Sequence, residues 1–278
     1  MVSQAEMPQP LRLMAVFAHP DDEALAIGGT LVRYAAEGVE TFLLTATRGE
    51  RGWLGNPEDF PGLEALGRVR EAELLAAARV LGLRDVRFLD YIDGEVDRAP
   101  QAEAVAKIVR EVRRVRPQVV VTFDPFGGYG HPDHIAVSQY ASAALAAAAD
   151  PDYAPGGAAP HRVAKFYYHA GTQAFMAAYQ QAMGELVMNV DRAERRAGGW
   201  EDWAVTTKIE TEAYWRVAWQ AVACHRSQLP SYSKLEALPE EHHRSLWGCQ
   251  TFYRVYSTVN GGRAVETDLF EGLRAADA

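Results

Sequence analysis

The chain of 278 residues is short of cysteine, long apolar runs, clustered basic residues and glycine-rich nucleotide loops, and each shortage excludes something. Only Cys224 and Cys249 occur. Two thiols make no disulfide framework. They also lack the paired Cys-x-x-Cys spacing of a zinc finger, although His225, His242 and His243 lie close by. They read as buried thiols in a reducing compartment. The longest early apolar run, "LRLMAVFA" at 11–18, is too short to cross a bilayer, and no basic segment leads into a cleavable hydrophobic stretch. A soluble, cytoplasmic chain with no membrane partner is expected. Lys and Arg total 28 against 37 Asp and Glu, a net charge of −9. The basic residues fall mostly on helical patterns, so a nucleic-acid partner is not expected. No G-x-G-x-x-G follows the first apolar run, where the chain reads "AHPDDEALAIGG", which speaks against a metal-free dinucleotide-binding module.

What is present is ordinary globular composition, 48% hydrophobic and 23% charged. Strand-like runs fall at 13–18, 41–47, 86–89, 119–123 and 166–168. Helical patterns at 23–37, 63–81, 101–115 and 132–149 separate them, with Val105, Ile108, Val109 and Val112 marking one helical face. Gly38, Gly82 and Pro117 supply stop signals. This alternation predicts an α/β fold, a doubly wound, mainly parallel sheet covered on both faces. Residues 150–160 read as a loop. Beyond 170 the pattern predicts helices over 173–188 and 208–226, a Trp-bearing stretch at 190–206 and a strand over 251–257. The reading is one domain, a core at 11–170 with a helical C-terminal elaboration at 171–278 that is not independent.

Two phrases carry the chemistry: "AHPDDE" at 18–23 and "GHPDH" at 130–134. Each follows a predicted strand and opens a helix, with Pro20 and Pro132 placed for the first helical position. Residues three apart there share a side, so His19 with Asp22, and His131 with His134, can converge. Either phrase alone could be a capped helix start with acids favouring the dipole. Two copies at the ends of strands one and four, if those strands are neighbours, would open into one cleft at the point where strand order reverses. Two imidazoles and one carboxylate with an open position make the usual catalytic zinc set. A second carboxylate beside them can take a proton from water. Metal-assisted hydrolysis of a carbonyl compound is the chemistry implied.

These residues resemble the LmbE-like or PIG-L-type N-acetylglucosaminyl deacetylases. "AHPDDE" is similar to their first signature and "TFDPFGGYGHPDH" at 122–134 to their second, as in the bacterial mycothiol-pathway deacetylase and its relatives. The likeness covers most of 11–145, with weaker echoes in "ACHRSQ" at 223–228 and "TFYRV" at 251–255. The resemblance implies a Rossmann-like zinc enzyme that removes the acetyl group from an N-acetylglucosamine conjugate. It implies His19, Asp22 and His134 as metal ligands and Asp21 as general base. His131 would stabilise the oxyanion or protonate the amine, Asp133 would orient it, and Tyr129 would assist at the tetrahedral intermediate. Arg70 and Asp93 fall at substrate-binding positions, although a helix-face arginine and a turn aspartate are the plain structural readings of the two.

Trp53 stands where the mycothiol deacetylase has a glutamate, and Ala26 where the related amidase has a lysine, which disfavours that amidase. Trp53, Trp200 and Trp203 are candidates to pack on a sugar ring, the latter two flanking a candidate lid; packing within the protein is the competing role. His161, His169, His225, His242 and His243 have no matched spacing and read as structural. A zinc amidase with a different substrate and a non-catalytic Rossmann-like binding protein are the rival readings. The motifs leave open the conjugate, the choice of Zn²⁺ or Fe²⁺, and homo-oligomerisation.

Overall fold

The computed structural model describes residues 10–184, 187–190, 193–196 and 198–274. Five parallel strands form its centre: β1 (Arg12–Phe17), β2 (Glu40–Thr47), β3 (Asp85–Tyr91), β4 (Val119–Phe123) and β5 (Lys165–His169). Their connections are α1 (Asp22–Ala36), α2 (Leu63–Leu81), α3 (Gln101–Val115), α4 (Gly127–Gly130), which is a single distorted turn, and α5 (Pro132–Ala149). Beyond them lie α6 (Gln173–Met183), β6 (Val187–Val190), β7 (Ala193–Arg196), β8 (Thr207–Glu210), α7 (Trp215–Val222), α8 (Leu229–Glu236), α9 (Glu240–Trp247) and β9 (Cys249–Ser257).

The strand order β3-β2-β1-β4-β5-β9-β8 makes β1 and β4 neighbours, paired from Leu13 with Val119 to Val16 with Thr122. Order reverses between them, so the crevice above their carboxyl ends is the topological switch point. Leu13 to Phe17 and Val119 to Val121 are almost wholly buried because helices cover both faces of the sheet. On α3, Ala104, Val105, Ile108, Val109 and Val112 face the core, the stripe that the spacing predicts. Full burial of one such aliphatic side chain stabilises by about 1.5–3 kcal/mol, and these residues belong to one contiguous cluster.

The C-terminal half departs from the sequence expectation. Where a helix over 208–226 is predicted, Thr207–Glu210 is a strand, and the helix runs only over Trp215–Val222. "TKIE" buries Thr207 and Ile209 and exposes Lys208 and Glu210, a two-residue period that fits an antiparallel edge beside β9. The helix predicted over 173–188 stops at Met183, where Gly184 takes φ 91°, and a strand starts at Val187. The cysteines are half-buried and free. Among the described residues, no helix is long and apolar enough to cross a membrane.

Candidate active site

Both motifs reach the switch point. His131 caps α5 by accepting from the Asp133 N–H, with Pro132 in the first turn as expected. The first motif begins its helix later: Asp21, not His19, precedes α1, and Pro20 lies outside it. Asp21 has φ 106° and ψ −26°, a backbone strain of about 1–3 kcal/mol for a residue with a Cβ, the kind that collects at functional sites. Its N–H donates to Glu23 Oε2 and its carboxylate accepts from Arg70 Nη2 at 3.2 Å.

His19, Asp22 and His134, the ligand set that the resemblance implies, lie close together. His19 Nδ1 is 3.1 Å from His134 Nε2 and 3.7 Å from Asp22 Oδ2, and Asp22 Oδ1 is 3.4 Å from His134 Nε2. The far side of each ring assigns its tautomer. His134 Nδ1 faces the Gly127 carbonyl, so it carries the proton there, and the ring is stacked 4.0 Å from Phe123. His19 Nε2 faces Asp133 Oδ2 and Asp93 Oδ1, each at 3.1 Å, and donates to them. His19 Nδ1, His134 Nε2 and the Asp22 carboxylate thus face one another, and the two ring lone pairs repel unless a cation lies between. Metal–ligand bonds of about 2.0–2.1 Å in a tetrahedral site put donors roughly 3.4 Å apart, and the observed separations bracket that value. The donor set fits a divalent metal. Two other groupings, His19 with His131 and His134 and His19 with Asp93 and Asp133, each gather donors within 4.8 Å.

The electrostatics agree. Burial opposes charge on His19, but hydrogen bonds to Asp133 and Asp93 and the nearby carboxylates hold its pKa well above the ordinary histidine value. Burial pushes Asp22 up to about 7 against the pull of His19. Burial, then the His19 charge, push His134 well below its ordinary value and His131 down to about 4. The carboxylates therefore draw positive charge into the pocket, and a cation would supply it in place of a proton.

Several residues act differently from expectation. The Asp133 carboxylate does not reach for His131. It accepts from Gly94 N–H at 2.7 Å and Val96 N–H at 3.1 Å and holds His19, and only its backbone N–H touches His131. Asp93 binds His19 through one oxygen and the Arg51 N–H through the other, so both oxygens already have protein partners before a sugar hydroxyl could reach them. Arg70 is buried, with Nη1 on Gly49 O and Nη2 on Pro20 O and Asp21. It holds the base. Trp53 folds over its own loop, its indole N–H on Asn56 O, and Gly52 lines the cavity there instead. Trp200 donates to Asp124 Oδ2 and Trp203 is exposed; neither lines the cavity. Tyr129 does line it, edge-on to His134 at 5.2 Å.

Sequence reasoning gave no role to Glu23, Asp124 or Gln228 and read His169 and His225 as structural. Glu23 and His225 are fully buried and joined at 2.8 Å, so a chain runs from the Asp21 N–H through Glu23 to His225. The echo "ACHRSQ", which also supplies Gln228, was the available signal. Asp124 accepts from Phe126 N–H and Gly128 N–H and fixes the glycine loop. His169 lines the cavity, and burial lowers its pKa to about 4.

Directed donors beside a strained carboxylate, at the switch point of a doubly wound sheet, mark a metal-dependent hydrolase. Comparison with known proteins narrows the class. The PIG-L family, described as GlcNAc-PI de-N-acetylase, matches residues 14–145. The 1D-myo-inositol 2-acetamido-2-deoxy-alpha-D-glucopyranoside deacetylase of Thermobispora bispora is 36% identical, over 94% of this chain and 98% of its own. The conserved protein TT1542 from Thermus thermophilus is 29% identical with a TM-score of 0.64, over 90% of this chain and 97% of that one. N,N'-diacetylchitobiose deacetylase from Pyrococcus horikoshii, 19% identical with a TM-score of 0.66 over 88% and 83%, shares the fold. The chain belongs to the PIG-L family. Its reaction is hydrolytic N-deacetylation.

Proposed function

We propose that the chain holds zinc through His19, Asp22 and His134 and removes the acetyl group from the amino nitrogen of a small-molecule N-acetylglucosamine conjugate. The observation that carries this is the convergence of His19 Nδ1, His134 Nε2 and Asp22 within 3.1–3.7 Å, with Asp21 next in sequence. The relatives' names supply the substrate class; the geometry supplies the chemistry.

A divalent metal bound there supplies Lewis-acid polarisation and a water that ionises near neutral pH. Asp21, held by Arg70 and by Glu23, is the base that takes the proton of the attacking water. His131 has its Nδ1 occupied by the Asp133 N–H, so its free Nε2–H is the donor for the carbonyl oxygen as that oxygen gains charge. Burial and the charge on His19 lower the His131 pKa, which favours the neutral ring as this donor. The proton held by Asp21 then passes to the leaving amine. Asp133 and Asp93 fix the His19 ring, Gly127 fixes His134, and Tyr129 closes the side of the cavity facing both motif histidines. The two free thiols suit a reducing, cytoplasmic setting.

Acetate release from inositol, malate and chitobiose conjugates of N-acetylglucosamine tests the reading. Turnover that a chelator abolishes and Zn²⁺ restores is expected, with Fe²⁺ compared in parallel. Acetate release that survives exhaustive chelation contradicts the metal reading. Release from other amides but from none of these contradicts the substrate class.

A further inference from the structure

The cavity above the motifs measures about 470 Å³, within the range of sites that enclose a whole small ligand rather than an acetamide alone. It continues past the metal donors to the carboxyl end of β5, where His169 lines it with Gly171, Phe175 and Tyr179. His169 is the register partner of Phe123 in the parallel pair of β4 and β5, so both side chains leave the same face of the sheet. Phe123 stacks on His134. His169 thus stands one strand further from β1, and the close groupings of donors among the described residues leave it out. With strands about 4.8 Å apart, β5 lies about 7 Å from the midline between β1 and β4. An imidazole there meets the part of a substrate that extends beyond the acetamide.

The ring is equipped to bind. Each motif histidine has a protein partner at a ring nitrogen: Asp133 and Asp93 for His19, the Asp133 N–H for His131, the Gly127 carbonyl for His134. His169 is half-buried and edge-on to Phe252 at 6.1 Å, and neither of its nitrogens is hydrogen-bonded among the described residues. The neighbouring Asp124 is taken up by Phe126 N–H, Gly128 N–H and the Trp200 indole. Burial lowers the His169 pKa to about 4, which favours the neutral ring, with one N–H to donate and one lone pair to accept. A hydroxyl is likewise both donor and acceptor, and a buried polar group requires such a partner. Phe175 and Tyr179, one turn apart on α6 with ring centroids 6.4 Å from each other, supply aromatic surface in the same stretch of lining. Gly171 adds no side chain to this space; a Cβ there would come within 3.3 Å of the Phe175 ring. Aromatic surface receives the C–H face of a saturated ring while a directed polar group fixes its orientation.

We propose that His169 is a specificity-determining residue: it hydrogen-bonds a hydroxyl of a second, polyhydroxylated ring attached to the N-acetylglucosamine, and that ring rests its C–H face on Phe175 and Tyr179. This rests on the deacetylase reading above and assigns the subsite that reads the rest of the conjugate.

The test uses the full chain loaded with zinc and three N-acetylglucosaminides, bearing myo-inosityl, cyclohexyl and methyl aglycones. Cyclohexyl keeps the ring and lacks its hydroxyls. The wild type should favour the inosityl over the cyclohexyl compound in kcat/KM by at least about tenfold, because a site built to hydrogen-bond a hydroxyl discriminates against its loss. His169→Phe, which keeps a ring without hydrogen bonds, should shrink that ratio by about tenfold, and His169→Asn, which keeps a donor and an acceptor, by less. A ratio taken on one protein sample does not depend on the fraction that folds. Phe175→Ala should lower kcat/KM severalfold for both ring compounds relative to the methyl compound. Equal use of inosityl and cyclohexyl by the wild type, an unchanged ratio in His169→Phe even where turnover of all three falls together, or an unchanged ring-to-methyl ratio in Phe175→Ala overturns the subsite and leaves the deacetylase reading intact. Acetate from none of the three overturns the deacetylase reading itself.

Discussion

Asp21 keeps its left-handed backbone because its neighbours fasten it on two sides: Glu23 accepts its N–H and Arg70 donates to its carboxylate and to the Pro20 carbonyl before it. His225 completes the Glu23 side at 2.8 Å with both side chains fully buried. Removing one partner of such a pair leaves an uncompensated buried charge, which costs about 3–5 kcal/mol. His225→Ala should therefore lower the free energy of unfolding by about that amount in urea titrations. Glu23→Gln, which removes the charge and keeps the shape, should lower it less; equal stability of all three proteins would refute the pairing. At this scale the sequence shows which residues converge, because spacing around a helix start constrains direction. It does not show which histidine an aspartate serves. Asp133 lies two positions from His131, yet its carboxylate crosses to His19, a contact set by the packing of β1 against β4.

Among the elements, the glycine turn α4 matters most to the site. Gly127 has φ 63°, and a Cβ there would sit 2.7 Å from His134 Cβ and 2.9 Å from Ile135 N. The Gly127 carbonyl also holds His134 Nδ1. Gly127→Ala should weaken metal binding about 10–100-fold, the usual effect of disturbing a ligand's outer partner, while far-UV circular dichroism stays native. Undiminished affinity in a chelator competition would contradict this role. The parallel strands and the helices between them were legible from apolar runs and glycine or proline stops. The 207–226 stretch was not, because "TKIE" leads directly into a helix and its two-residue period spans only four positions. Trp53 was misplaced for a related reason: an indole in a loop has no periodicity, and here Asn56 O, three residues on, captures it.

For the molecule as a whole, β9 and β8 extend the parallel sheet, and the segment after β9 is tied to β8 by the bridge between Thr207 and Glu266. The Glu266 carboxylate accepts from Lys165 at 2.6 Å, Tyr167, Thr207 and Asn260 in nearly complete burial. Burial alone would raise its pKa, but these hydrogen bonds bring it down to about 2. A folded-state pKa below the unfolded value means the stabilisation is fully present above pH 4.5 and is lost as pH falls toward 2, on the order of 3 kcal/mol. Unfolding free energy measured across that window should fall steeply, and Glu266→Gln should flatten the slope. An unchanged slope would show that Glu266 does not govern acid stability.

In the proposed mechanism the twin motifs hold a metal and Asp21, beside it, does the proton transfer. Elemental analysis paired with acetate release for the wild type, Asp21→Asn and His134→Ala tests it most directly. The account predicts about one zinc per chain in the wild type and in Asp21→Asn, with acetate release in the latter down at least about 100-fold, and loss of both metal and turnover in His134→Ala. Asp21→Asn that deacetylates at the wild-type rate, or His134→Ala that retains its zinc, would contradict it.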